Sequence, residues 1–292
     1  MAQAVGAILT LFRDALWTRL YGCHILNGTF YGSASVMDRR ICNVRLTPFI
    51  WFIALMVACL IAIHCFVMVC WTMKSCGPLT ASVTSFGHLF DLNRELNIPS
   101  WASSVLIVLV GAACMLVGLA ERQQGGSAWP WWGLGVVFAY MSLDEAAELH
   151  GLLATDKLAL PGMTGAGFAW IVPGLVLAAI IALAYLRWVL RQPAEIRNLF
   201  FIAGTIYVTG ALGFEAVGGL LADPTYFNPA YLVASTIEEA LEFLGMLIML
   251  YAVLRRLDMS GLAFEFATPR PGQIAVAKND IPRKGLGGAT TG

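Results

Sequence analysis

Ser142-Leu143-Asp144-Glu145-Ala146-Ala147-Glu148-Leu149-His150 puts carboxylates and an imidazole into the last turns of an apolar run of membrane-spanning length. Each charge there costs roughly 2.5–3.5 kcal/mol at a bilayer centre, so such a cluster demands a compensating partner. Two further stretches carry acids into apolar surroundings: Gly213-Phe214-Glu215-Ala216 and Glu238-Glu239-Ala240-Leu241-Glu242. On a regular helix Asp144 and Glu148 share a face, as do Glu145 with Glu148, Glu238 with Glu242 and Glu239 with Glu242. His150 is two residues past Glu148 and joins them only if the helix ends or loosens, which Gly151 permits. Glu and His donated by several helices to one layer can hold one or two divalent metal ions, as in carboxylate-rich bundles. The predicted donors are Asp144, Glu145, Glu148, His150, Glu215, Glu239 and Glu242. Their mixture suits iron, manganese or zinc better than copper(I), which favours sulfur. The Glu-x-x-His spacing of soluble di-iron bundles is absent.

These residues need helices to position them. Of 292 residues 59% are hydrophobic and 12% charged, which places the chain among polytopic membrane proteins with the lipid bilayer as partner. A formal net charge of zero argues against nucleic acid as a partner. Six stretches reach the roughly 20 apolar residues a span needs, at about 48–72, 101–120, 131–151, 166–188, 199–221 and 231–254. The fold expected is therefore an all-α bundle of about six transmembrane helices over 47–257. It follows a basic N-terminal segment, 1–46, and precedes a disordered tail, 258–292. With both termini cytoplasmic, every one of the 18 Lys and Arg except Lys74, Arg94 and Lys157 falls inside, as the positive-inside rule requires. Most of the acids then fall outside, and the predicted site faces outward from a bacterial inner membrane. The seven cysteines show no CxxC pair and read as small core hydrophobes, with Cys70 and Cys76 near enough to pair on the outer side.

Within the outer segment His88–Trp101, residues 88–98 read either as a cover or as merely a loop. Asn97 followed by Pro99 reads as a helix start, and before it Phe90, Leu92 and Leu96 interleave with Asp91, Arg94 and Glu95. That pattern suits a lid over the acidic layer, with His64, His88, Asp91 and Glu95 as lid or supporting residues. Plainer readings stand beside these. Ser235 with Glu238, and Thr236 with Glu239, form overlapping capping boxes that would make one glutamate a helix cap. A buried histidine such as His64 is more often a packing residue than a ligand. Asp156 and Asp223 read as loop residues. No lysine lies inside a span, which argues against a retinal protein, and no Ser or Cys constellation suggests covalent catalysis.

The chain resembles a group of bacterial multipass membrane proteins of unknown function over roughly residues 80–256. The resemblance rests on Phe90-Asp91-Leu92-Asn93-Arg94-Glu95-Leu96-Asn97-Ile98-Pro99-Ser100, on Ser142–His150, and on Glu238-Glu239-Ala240-Leu241-Glu242-Phe243-Leu244-Gly245. It implies the multipass topology and no activity. The leading expectation is a metal-binding membrane protein working as an oxidoreductase or hydrolase. The alternatives are a cation- or proton-coupled carrier and a structural or assembly subunit.

Overall fold

The computed structural model describes residues 24–25, 40–41, 46–153, 161–163, 167–223 and 228–260. Residues 1–45 with 263–292 form one unit and Leu46–Leu262 another. Described in the first unit are two short strands, β1 (His24–Ile25) and β2 (Arg40–Ile41), paired antiparallel with His24 opposite Ile41. The expectations for the basic N-terminal segment and the tail otherwise lie outside the described residues, as do Asp156 and Lys157.

Leu46–Leu262 is all-helical among its described residues. In chain order it runs through α1 (Leu46–Met73), α2 (Thr80–Phe86), α3 (Ile98–Gln123), α4 (Trp129–Ala147), α5 (Ile171–Val189), α6 (Ala194–Val208), α7 (Glu215–Leu221) and α8 (Pro229–Met259). Short 3₁₀ turns lie at Gly77–Leu79, Gly87–Phe90, His150–Leu153 and Gly167–Trp170, and a π turn over Thr209–Phe214 joins α6 to α7. Four stretches are long and apolar enough to cross a membrane: Pro48–Met73, Ile98–Gln123, Phe168–Val189 and Ala194–Leu221. Helix α4 carries Asp144 and Glu145, α7 carries Glu215, and α8 carries Glu238, Glu239 and Glu242. The outside of the unit presents large apolar side chains such as Trp51, Phe52, Leu55, Ile180 and Leu183, the surface a hydrocarbon solvent requires.

Asn97 caps α3: its Oδ1 accepts from Ser100 N at 3.1 Å, the Ser100 hydroxyl answers the Asn97 N–H at 3.2 Å, and Pro99 sits in the first turn. Helix α8 starts earlier than the capping boxes suggest, which corrects that reading. Asn228 is its N-cap, accepting from Tyr231 N at 2.9 Å, so Glu238 and Glu239 lie inside the helix. The hydroxyls that would have capped it work elsewhere, with Ser235 donating to Asn93 and Thr236 to Leu232 O.

Helix α8 is the hub, packing on α1, α3, α6 and α7. Glycines let backbones approach it closely. A Cβ on Gly245 would stand 2.8 Å from Tyr207 Cβ and 2.9 Å from Tyr207 N, and one on Gly210, in the π turn, 2.8 Å from Glu238 O. Gly245→Val must push α6 off α8, at a cost of roughly 1–3 kcal/mol. A thermal midpoint several degrees lower in detergent is the expected result.

Away from the acids the unit is filled with apolar side chains. Leu106, Ile107, Val110, Val117, Phe138, Phe243, Leu250 and Val253 are all buried, and Trp131 packs edge-on against Trp188 at 4.8 Å between ring centroids. Beyond them Arg256 pairs with Glu121, and Gln124 Nε2 donates to Ser260 O, tying α3 to α8 at that end.

Candidate functional site

The segment before α3, the end of α4, the end of α6 at Tyr207, the π turn with α7, and the early turns of α8 meet at one end of this unit around a cavity of about 360 Å³. Its walls carry Asp144, Glu145, Glu148 and His150 from α4 and the turn after it, and Glu215 from α7. Helix α8 adds Glu238, Glu239 and Glu242, and the segment before α3 adds Glu95. All seven predicted donors therefore face one space. Neither Lys nor Arg appears among the described lining residues. Arg94 points away: its side chain is 65% exposed and its Nε lies 3.3 Å from Asp91 Oδ2.

The end of α4 explains how His150 reaches this wall. The expected helix over 131–151 stops at Ala147, and Glu148 takes a left-handed conformation (φ 51, ψ 45) that turns the chain back. A non-glycine residue there costs roughly 1–2 kcal/mol. The turn takes Glu148 off the helical face it was expected to share, while leaving it on the cavity wall. It also folds His150 onto Asp144, whose Oδ1 accepts from His150 N at 2.7 Å and whose Oδ2 lies 3.1 Å from Nδ1. With Nδ1–H donated to Asp144, Nε2 is the nitrogen left to accept or to ligate, the orientation an outer carboxylate imposes on metal-binding histidines. Burial lowers the His150 pKa, but the hydrogen bond to Asp144 and the charges of Asp144, Glu95 and Glu215 outweigh it, and the net shift is upward.

Helix α7 delivers Glu215 through the π turn, whose extra residue rotates α7 relative to a continuous α-helix. Such turns recur at functional sites. Trp170, brought in by the 3₁₀ turn before α5, donates its indole N–H to Glu215 Oε1 at 3.2 Å, and its ring lies 4.9 Å from that of His150. Glu215 and Glu238 lie within hydrogen-bonding reach of each other across the cavity wall. Deeper in, Glu242 meets the hydroxyl of Tyr207, and Glu145 meets Ser103.

The segment Asp91–Asn97 lies over part of the cavity and contributes Asn93 and Glu95 to its lining. Burial pushes the Glu95 carboxyl up to about 7, helped by the charge of Glu145 and, more weakly, by Glu148 and Asp144 against the opposing His150. Burial likewise raises Asp91, against the hydrogen bond from Asn93 and the nearby His64 and Arg94. His64, His88 and Asp91 do not line the cavity. His64 is buried, hydrogen-bonded between Leu92 N and Thr236 Oγ1. The His88 side chain is exposed, and Asp91 Oδ1 accepts from Asn93 N at 3.1 Å.

Tyr207, Trp170, Asn93, Tyr231 and Ser235 also line the space, and sequence reasoning singled out none of them as site residues. Ser235 is within the capping pattern, and Asn93 within the interleaved segment, which were the available signals. Among the described residues no three His, Cys, Asp or Glu side chains already stand around one point as a metal cage.

Over residues 52–257 the chain matches a family model described as Domain of unknown function (DUF8692). No curated protein and no solved structure matches it.

Proposed function

This chain belongs to the DUF8692 family, and on that premise we propose that it binds one or two divalent metal ions in its carboxylate/histidine cavity. The bound metal would serve oxidoreductase or hydrolase chemistry on the outer face of a bacterial inner membrane. One observation carries the reading: the cavity is lined by Glu95, Asp144, Glu145, Glu148, Glu215, Glu238, Glu239 and Glu242, with His150 and without a described Lys or Arg. So many carboxylates in a low-dielectric space cannot all be ionised unless cations neutralise them. The donor set fits iron, manganese or zinc: hard oxygens, one imidazole with its tautomer set by Asp144, and no thiolate or thioether.

A metal held there supplies Lewis acidity, or electrons if it is redox-active. The chain's own share is separate. Asp144 fixes the His150 ring, Trp170 N–H holds Glu215, and Tyr207 holds Glu242. The cavity's volume of about 360 Å³ leaves space beside a metal for several waters or a small substrate.

Helices α4 and α8, which carry Asp144, Glu145, Glu238, Glu239 and Glu242, complete six spans with the four stretches named above. Outward orientation draws support from the basic residues and, independently, from the Cys70–Cys76 disulfide (Cα–Cα 5.2 Å) at the cavity end of α1. Disulfides belong to oxidising compartments. A carrier would need a polar path to the other face, whereas the other half of the unit is filled by Phe138, Phe243, Leu250 and their neighbours.

The test is ligand-induced stabilisation of EDTA-stripped protein in detergent. Mn²⁺, Fe²⁺ or Zn²⁺ at about one hundred times its dissociation constant contributes about 2.7 kcal/mol, so a midpoint rise of several degrees is expected. A rise with Na⁺ or spermidine, and with no divalent metal, would overturn the reading.

A further inference from the structure

The geometry points to Glu95 as a metal ligand supplied by the strap Asp91–Asn97, with His64 and Asn93 as the positioning residues that hold it over the helical carboxylates. The assignment rests on the reading of the cavity as a divalent-metal site.

The strap is held at Asp91, Leu92, Asn93 and Asn97. Leu92 N donates to His64 Nδ1 at 3.0 Å, and His64 Nε2 lies 3.0 Å from Thr236 Oγ1. Thr236 spends its only hydroxyl proton on Leu232 O at 2.7 Å, so His64 must donate from Nε2. The imidazole is thereby set as the neutral Nε2–H tautomer, with both nitrogens used and one end of the strap bolted to α1 and α8. Asn93 Oδ1 accepts from Ser235 Oγ at 2.6 Å and from Tyr231 OH at 3.0 Å, a second bolt onto α8. Asn97 Nδ2 donates to Asp91 O at 2.6 Å, closing the strap on itself.

Glu95 is the exception in this network. Its Oε2 is buried and has no hydrogen-bond partner among the described residues, although it lines a cavity already rich in carboxylates. An unpaired buried carboxylate oxygen is costly, and the bolts on either side keep it from turning out to water. The side chains on either side of Glu95 turn to solvent, Arg94 at 65% and Leu96 at 82% exposure, whereas Glu95 lines the cavity. A divalent cation within the cavity satisfies that oxygen, and the strap then contributes a ligand that α4, α7 and α8 do not.

The experiment titrates Mn²⁺ into the EDTA-stripped full chain in detergent and reads free Mn²⁺ from its room-temperature electron paramagnetic resonance signal. Glu95→Gln should weaken binding at least tenfold and Glu95→Asp should recover part of that loss. Asn93→Ala and His64→Ala should weaken it about tenfold at unchanged stoichiometry, the usual effect of removing a support behind a ligand. Leu96→Asn, on the same strap and outside the network, should bind as wild type does and controls for folding. Wild-type affinity in Glu95→Gln overturns the assignment while leaving the metal site standing. A wild-type protein that takes up no Mn²⁺ overturns the metal site and the assignment together.

Discussion

Replacing Glu239 and Glu242 together by glutamine raises the thermal midpoint of the metal-stripped protein at pH 8 and abolishes its response to divalent metal. Both side chains face the cavity beside Glu145 and Glu215, so the empty cavity at that pH holds either protons or neighbouring like charges, and both are unfavourable. Glutamine keeps the shape and can still accept from the Tyr207 hydroxyl, while removing the charge. Relief of about 1–3 kcal/mol, or a few degrees in a chain of this size, is the expected magnitude. A structural role predicts the opposite sign, because there the carboxylates would be satisfied partners whose loss weakens the bundle. Tryptophan-fluorescence melts with and without EDTA separate the two.

The second large effect is on pH. Glu95 titrates at its ordinary value of 4.5 in the unfolded chain and at about 7 in the folded one, raised first by burial and then by Glu145. Between those values the folded state holds a proton that the unfolded state has released. The stabilisation is thus complete below 4.5 and lost as pH rises through about 7. His150, also raised, acts in the same direction, since its extra stability is lost as pH climbs through its folded value. At roughly 1.4 kcal/mol per unit, discounted for partial exposure to water, the Glu95 share is about 1–2 kcal/mol. Metal-stripped protein should therefore melt lower at pH 8 than at pH 5, with a shallower slope in Glu95→Gln. Metal affinity runs the other way, because ligands must shed their protons before they bind. Melting curves across that range, with and without Mn²⁺, should cross in slope.

The helical class and the gathering of acids at one end were legible because both rest on local signals. Long apolar runs define the helices, and counting residues from their ends puts Asp144, Glu145, Glu215, Glu239 and Glu242 at similar depth. Asn97 with Pro99 announced the start of α3 for the same reason. What could not be read depends on contacts distant in the chain. Glu148 adopts a left-handed conformation that no local preference favours, and the turn it makes brings His150 onto Asp144. Ser235 and Thr236 fit a capping box equally well on paper, yet Asn228 starts α8 upstream and frees both hydroxyls for Asn93 and Leu232. The π turn before Glu215 and the arrival of Trp170 from the preceding 3₁₀ turn leave no periodic trace. His64 looked like a packing histidine, and its place between Leu92 and Thr236 is a hydrogen-bonded form of that role.

Metal content by inductively coupled plasma mass spectrometry is the most direct test, made on detergent-purified protein prepared without chelators and compared with Glu145→Ala and Glu242→Ala. The account predicts near-stoichiometric iron, manganese or zinc in the wild type and its loss in both variants, since side chains from α4 and α8 face the same cavity. Folded wild-type protein that carries no metal, or variants that keep it in full, would contradict it.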